Sequence, residues 1–179
     1  VDGLFIKKNV DLNITGSNAY FMSGELATLL SGRYIELKML PLSFKEYCDS
    51  IETHNKTVPS KHKTEKYNDY VIKSSFPFVL RLNDKQDMIN NYLKDIYNSI
   101  LLKDIVTRLK VSDVMMLESV VKYLFSNIGS KLSAPKIARI LTSLGRKIDH
   151  RTVEKYIKGL TDSLMFYQVH RYNIKGKQV

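Results

Sequence analysis

DLNITGSNAYFMSGELATLLSGR, residues 11–33, is the stretch on which the reading of this chain turns. Val10–Ile14 is a short apolar run that stops at Thr15-Gly16-Ser17-Asn18. Such a run, followed at once by small polar residues, predicts a buried strand that delivers its end to a site. Ser23 suits a helix N-cap, and Leu26, Leu29 and Leu30 supply one apolar stripe behind it. Gly32 stands where a helix end needs left-handed dihedrals. Arg33 then opens a second predicted strand, Tyr34–Met39, in which Ile35, Leu37 and Met39 alternate with Tyr34, Glu36 and Lys38.

ITGSNA (residues 14–19), LSGR (30–33) and LPLSFKEY (40–47) together resemble the last part of the ATPase core in a group of prokaryotic AAA-type ATPases. In that group a winged helix, and then a restriction-endonuclease-like domain, follow the core. KDIVTR (103–108), NIGSKLSAPKIARIL (127–141), TVEKYIKGL (152–160) and RYNIKGK (171–177) continue the resemblance, so it covers nearly the whole chain. It implies a mainly α fold with minor β. Residues 1–53 would be the C-terminal remnant of a P-loop α/β core, 54–109 a helical lid or linker, and 110–179 a winged helix-turn-helix domain whose wing is cut short.

The chain therefore reads as an internal piece of a longer ATPase. Its first residue is Val1, and no G-x-x-x-x-G-K followed by Ser or Thr occurs in it. The acidic magnesium-binding strand of the family has no counterpart either. Without that lysine and those metal ligands phosphoryl transfer lacks its electrostatic stabiliser. ATP and Mg²⁺ are expected in the full-length parent, while neither a cofactor nor an activity is expected of this piece alone. Its two amino-terminal strands would lack most of their sheet, and open edges of that kind invite self-association.

Composition narrows the rest. At 179 residues, one or two small domains can each build a core. No run approaches the roughly 20 apolar residues of a membrane span, so no membrane partner is expected. A single cysteine, Cys48, excludes an internal disulfide framework and fits a cytoplasmic setting; on an apolar helix face it reads as a structural thiol. His54 and His62 have no partner at metal-ligand spacing, and no metal site is expected. The net charge of +10 is unevenly spread. Residues 131–179 hold 11 Lys/Arg against 3 Asp/Glu, and residues 1–130 hold 17 against 15. That asymmetry points to a polyanion, or to an acidic protein surface, as partner of the C-terminal part.

Along the chain, Ser43 and Glu46 have capping-box spacing, and Phe44, Tyr47, Cys48 and Ile51 follow at helical intervals to about His54. His54–Lys63 reads as an exposed connection. A helix is expected from Thr64, with Tyr67, Tyr70 and Val71 inward, ending at Lys73-Ser74-Ser75-Phe76-Pro77. The resembling family usually has two glycines where Ser74 and Ser75 stand, which brings the turn geometry here into question. From Asn83 or Asp84 a long helical pattern places Met88, Ile89, Tyr92, Leu93, Ile96, Ile100 and Leu101 on one face and runs, kinked, to about Leu109. A helix from Ser112 turns Leu117, Val120, Val121, Leu124 and Ile128 inward and ends at Gly129.

Next come Ser133 as cap, Pro135 in the first turn, and Ile137, Ala138 and Leu141 inward. Leu144-Gly145-Arg146-Lys147 turns the chain, and Asp149 caps a helix with Val153, Tyr156, Ile157 and Leu160 inward. Two short helices joined by a glycine-containing turn follow the helix-turn-helix plan. Met165–Tyr172, rich in β-branched and aromatic residues, is expected to be a strand of the wing.

Four sets of residues are candidates for chemistry or binding. Thr15 and Ser17 offer hydroxyls at a strand end. They either satisfy their own backbone in a turn or, as the resemblance implies, sense a γ-phosphate. Arg33 matches the position of the arginine that AAA-type ATPases present to a neighbouring subunit. A forked, permanently charged guanidinium suits that task, and the role implies an oligomer; a surface pair with Glu25 or Glu36 is the other reading. Lys103, Asp104 and Arg108 form a charged cluster that reads as a structural ion pair, with nucleotide sensing by Arg108 as the alternative. In the last domain, Arg146, Lys147, Arg151, Lys155 and Lys158, with His150 among them, gather on and before the second helix. A basic outer face there suits the DNA major groove, with phosphate contacts dominant and little sequence selectivity. The competing reading is a scaffold: a packing module that couples nucleotide state to a partner protein.

Overall fold

The computed structural model describes residues 2–5, 7–15, 35, 37–54, 62–82 and 84–170. In that part the chain is mainly helical: α1 (Asp2–Phe5), α2 (Phe44–His54), α3 (Lys63–Lys73), α4 (Gln86–Asn98), α5 (Thr107–Leu109), α6 (Val114–Ser126), α7 (Ala134–Ser143) and α8 (His150–Asp162). A 3₁₀ segment, Pro77–Leu82, precedes α4, and a π-helical segment, Ser99–Val106, precedes α5. The chain divides into two compact units, Tyr34–Ser99 and Val1–Arg33 with Ile100–Val179.

In the unit Tyr34–Ser99 the capping box forms as its spacing requires. The Glu46 carboxylate accepts from the Ser43 N–H at 2.8 Å and from its hydroxyl at 2.7 Å, and Ser43 Oγ accepts from the Glu46 N–H at 3.3 Å. These bonds, the backbone one foremost, hold the Glu46 carboxyl below its ordinary value of 4.5. Behind the cap, Tyr47 is buried and meets Tyr70 edge to face at 5.3 Å, while Phe44 meets Tyr67 and Tyr70 at 5.3 and 5.5 Å. The Tyr70 hydroxyl donates to the Leu42 carbonyl at 2.8 Å.

The inner line of α3 differs from the expected one. Tyr67 and Val71 are 52% and 63% exposed, and Lys66 is buried instead. Its aliphatic stem packs inward while the ammonium donates to Glu52 at 2.7 Å, so a lysine occupies a line that an apolar pattern assigns to other residues. The turn after α3 keeps a positive φ without a glycine. Ser74 sits at φ 88°, ψ 157°, a conformation that strains any side chain. Val79, Leu82 and Ile89 form a small core with Phe76, Tyr92 and Leu93 against it. α4 begins at Gln86, later than Asn83 or Asp84, and Met88 is half exposed.

In the other unit, Leu101 and Ile105 of the π-helical segment are fully buried, and the expected irregularity of this long helical stretch lies there. Lys110, at φ 49°, ends α5. Asp113 caps α6 by accepting from the Met116 N–H at 2.9 Å, and Met116, Leu117, Val120, Val121 and Leu124 turn inward. Ile128, expected inside, is 69% exposed because α6 ends at Ser126. Ser133 occupies the N-cap of α7 without a side-chain bond, and Ile137, Ala138 and Leu141 are buried. The helix stops in a paired closure, Arg146 N–H to Leu141 O at 2.9 Å and Gly145 N–H to Thr142 O at 3.0 Å. Gly145 takes the φ of 81° that this closure demands. Asp149 then caps α8 through the Arg151 N–H at 3.1 Å, and Val153, Tyr156 and Leu160 face the core, while Ile157 is half-buried. α6, α7 and α8 pack on one another, α7 and α8 most extensively.

The expected strands are not found among the described residues. Val10–Ile14, Ile35 with Leu37–Met39, and Met165–His170 are all non-helical and unpaired in a ladder. Ile35, Leu37 and Met39 are 90%, 82% and 87% exposed. A strand exists through hydrogen bonds to a neighbour, and no neighbouring strand lies beside any of the three among the described residues.

Candidate nucleic-acid interface

The basic residues on and before α8 are positioned by one paired closure and a cap. The turn after α7 fixes Arg146 and Lys147, and the Asp149 cap sets the start of α8. Burial of Val153, Tyr156 and Leu160 leaves Arg151, Lys155 and Lys158 on the opposite, exposed side. Burial, with a lesser contribution from the Asp113 charge, raises the Tyr156 hydroxyl above its ordinary 10.0.

The five cations do not stand alike. Arg146 is half-buried and donates from Nη1 to the Met115 carbonyl at 3.2 Å. Lys155 donates to the Leu109 carbonyl at 2.9 Å, at the end of α5. Both fold back on their own unit and hold its elements together. Lys155 is nonetheless exposed, as are Lys147, Arg151 and Lys158, and these last three have no side-chain bond among the described residues. His150, also exposed, has Nδ1 3.1 Å from Asp149 Oδ1.

The charged cluster lies beneath the far end of α8. Arg108 donates to both oxygens of Asp104 at 3.3 Å, to the Gly159 carbonyl at 3.1 Å and to Ser163 Oγ at 2.8 Å. Ser163 donates to Asp104 at 2.6 Å, and Asp162 stands 3.6 Å from the guanidinium. Only 14% of the Arg108 side chain is exposed, so its forked donors are spent on joining α5 to α8. This is the structural ion pair that the sequence suggests; Lys103 stays exposed. Gly159 permits the contact: a Cβ there would meet Leu109 Cδ1 at 2.6 Å.

Of the ATPase candidates, Thr15 is exposed in a non-helical segment, and Ser17 and Arg33 lie outside the described residues. Among the described residues no group of three or more His, Cys, Asp or Glu could hold a metal ion. No described helix is long and apolar enough to cross a membrane. The sequence pattern above also passes over Lys136 and Arg139, exposed on α7 three residues apart and opposite Ile137 and Leu141.

Residues 1–48 match the family described as AAA domain, which relates this part of the chain to AAA-type ATPases. An uncharacterised protein of Haemophilus influenzae is 39% identical over 179 residues, covering 99% of this chain and 43% of its own length. An uncharacterised protein of Methanocaldococcus jannaschii is 24% identical over 170 residues, covering 93% of this chain and 38% of its own. The chain thus spans less than half the length of these curated relatives. No solved structure matches. Residues 64–178, more than half of the chain, match the family described as Domain of unknown function (DUF8612), and the chain belongs to that family.

Proposed function

We propose that this chain is part of an AAA-type ATPase whose unit α6–α8, completed as a winged helix, lies on DNA through the outer side of α8. The observation that carries the reading is the exposed set Lys147, Arg151 and Lys158 on and before a helix whose inner side is fully committed to the core. Three outward cations and few amide side chains favour phosphate contact over base reading. In the same reading Thr15 or Ser17 senses the γ-phosphate and Arg33 stabilises transition-state charge in a neighbouring subunit, with ATP and Mg²⁺ held by the rest of the ATPase. An arginine acting in that way contributes to rate rather than to ground-state binding.

The test is anisotropy of this chain with a labelled duplex of arbitrary sequence across a KCl series. The reading expects binding that falls steeply with salt and differs little between unrelated sequences. Duplex binding that is absent at low salt contradicts it. The fold-back of Arg146 and Lys155 favours one other reading, a scaffold whose basic unit packs against acidic protein.

A further inference from the structure

The cationic surface does not end on α8. Lys136, Arg139 and Ser143 recur on one side of α7 at intervals of three and four, and all three are exposed. Ile137, Ala138 and Leu141 hold the other side in the core. α7 contains no acidic residue. Arg139, Thr142 and Ser143 line one shallow concave surface together with Pro135, Ala138, Ile148, Asp149 and His150, so part of the outer row of α7 and the start of α8 border a common surface.

Asp149 contributes the one carboxylate among the residues that line this surface, and it is engaged. One oxygen accepts from the Arg151 N–H at 3.1 Å and the other lies 3.1 Å from His150 Nδ1. Ser143 donates its hydroxyl proton to the Ile140 carbonyl at 2.7 Å. On this side of α7 the cationic donors are the Arg139 guanidinium, which lines the concave surface, and the Lys136 ammonium, three residues earlier and outside that lining; both are exposed. A guanidinium presents two parallel donors to a phosphodiester, and the ammonium adds a point charge beside it.

We infer that Lys136 and Arg139 are phosphodiester-binding residues, and that a nucleic-acid backbone crosses α7 as well as α8. This rests on the DNA reading of α8 and enlarges its footprint. With Lys147, Arg151 and Lys158 the outward set becomes five cations, which corresponds to a slope of about −4.5 in log affinity against log salt.

The test compares three double variants of this chain against one labelled 20-base-pair duplex of arbitrary sequence, by anisotropy over a KCl series. K136A/R139A is expected to reduce the magnitude of the slope by about two, as is R151A/K158A. K45A/K94A, which removes the same charge from exposed sites elsewhere, is expected to leave it unchanged. K136Q/R139Q keeps much of the stem bulk and should behave as K136A/R139A does, should the alanine pair alter the circular dichroism. A slope that falls for R151A/K158A alone overturns the α7 assignment and leaves the α8 reading standing. A slope unmoved by either pair, or equally reduced by K45A/K94A, overturns both.

Discussion

Replacing Arg108 by alanine separates two roles for that residue. The guanidinium joins Asp104, the Gly159 carbonyl and Ser163 Oγ at 2.8–3.3 Å and stands 3.6 Å from Asp162. A hydrogen bond to a charged group contributes about 1.5–3 kcal/mol, and breaking a buried pair from one side costs about 3–5 kcal/mol. Asp104 and Asp162 are 26% and 31% exposed, so water takes over part of what the guanidinium supplied. The expected loss is therefore about 2–3 kcal/mol, or roughly 4–12 °C in melting temperature for a chain of this size. The exposed pair Lys45–Asp49, with side chains 85% and 57% exposed, is the contrast: Lys45→Ala should leave the melting temperature nearly unchanged, because solvent screens that pair. Far-UV melting and a double-mutant cycle between Arg108→Ala and Asp104→Asn are the measurements. A coupling above about 1 kcal/mol is expected, because the two residues share one network. An Arg108→Ala chain that melts within about 1 °C of the parent refutes the structural role and returns Arg108 to nucleotide sensing.

Other outcomes follow from single positions. Ser74→Gly should stabilise the chain by about 1 kcal/mol, because glycine adopts φ 88° freely; the gain, read from urea midpoints, is net of the weak Phe76 N–H to Ser74 Oγ bond at 3.3 Å. Gly159→Ala sets a helix-propensity gain of about 1 kcal/mol against a Cβ that meets the end of the Leu109 side chain, so the net change in stability should stay within about 1 kcal/mol; a loss above about 2 kcal/mol contradicts this reading of the packing. Leu117→Ala, at a fully buried site in α6, should cost about 2–5 kcal/mol by the same measurement. For Glu46, the folded carboxyl titrates below 4.5, so its contribution is complete above that value and is lost as pH falls through the folded one. Glu46→Gln should flatten that part of the stability–pH profile, and an unaltered acid limb would show that the cap contributes nothing.

What was legible in the sequence was local. Ser43 with Glu46, Asp149 as a cap, Gly145 in its turn and the inward faces of α6, α7 and α8 all depend on residues within a few positions of one another, and the structure has them. The strands are not found among the described residues because a strand is a relation between segments: Ile35, Leu37 and Met39 alternate as a strand should, yet nothing among the described residues pairs with them. The inward placement of Tyr67 and Val71 failed for a related reason, since Lys66 takes the buried position through Glu52, 14 residues away. At the candidate interface the positions of the cations were readable from helical spacing, but their availability was not. Arg146 and Lys155 are held by carbonyls 31 and 46 residues distant, and no spacing rule reports that.

That division gives the most direct test of the central claim, that the outer side of α8 meets a polyanion. Duplex binding by Arg151→Ala/Lys158→Ala and by Arg146→Ala/Lys155→Ala is compared across a KCl series, with melting temperatures for both. The first pair removes outward charges and should reduce the salt slope by about two at unchanged stability. The second removes charges that bridge to Met115 and Leu109, and should lower the melting temperature while changing the slope by less than about one. A slope that is the same for the first pair as for the parent chain contradicts the account.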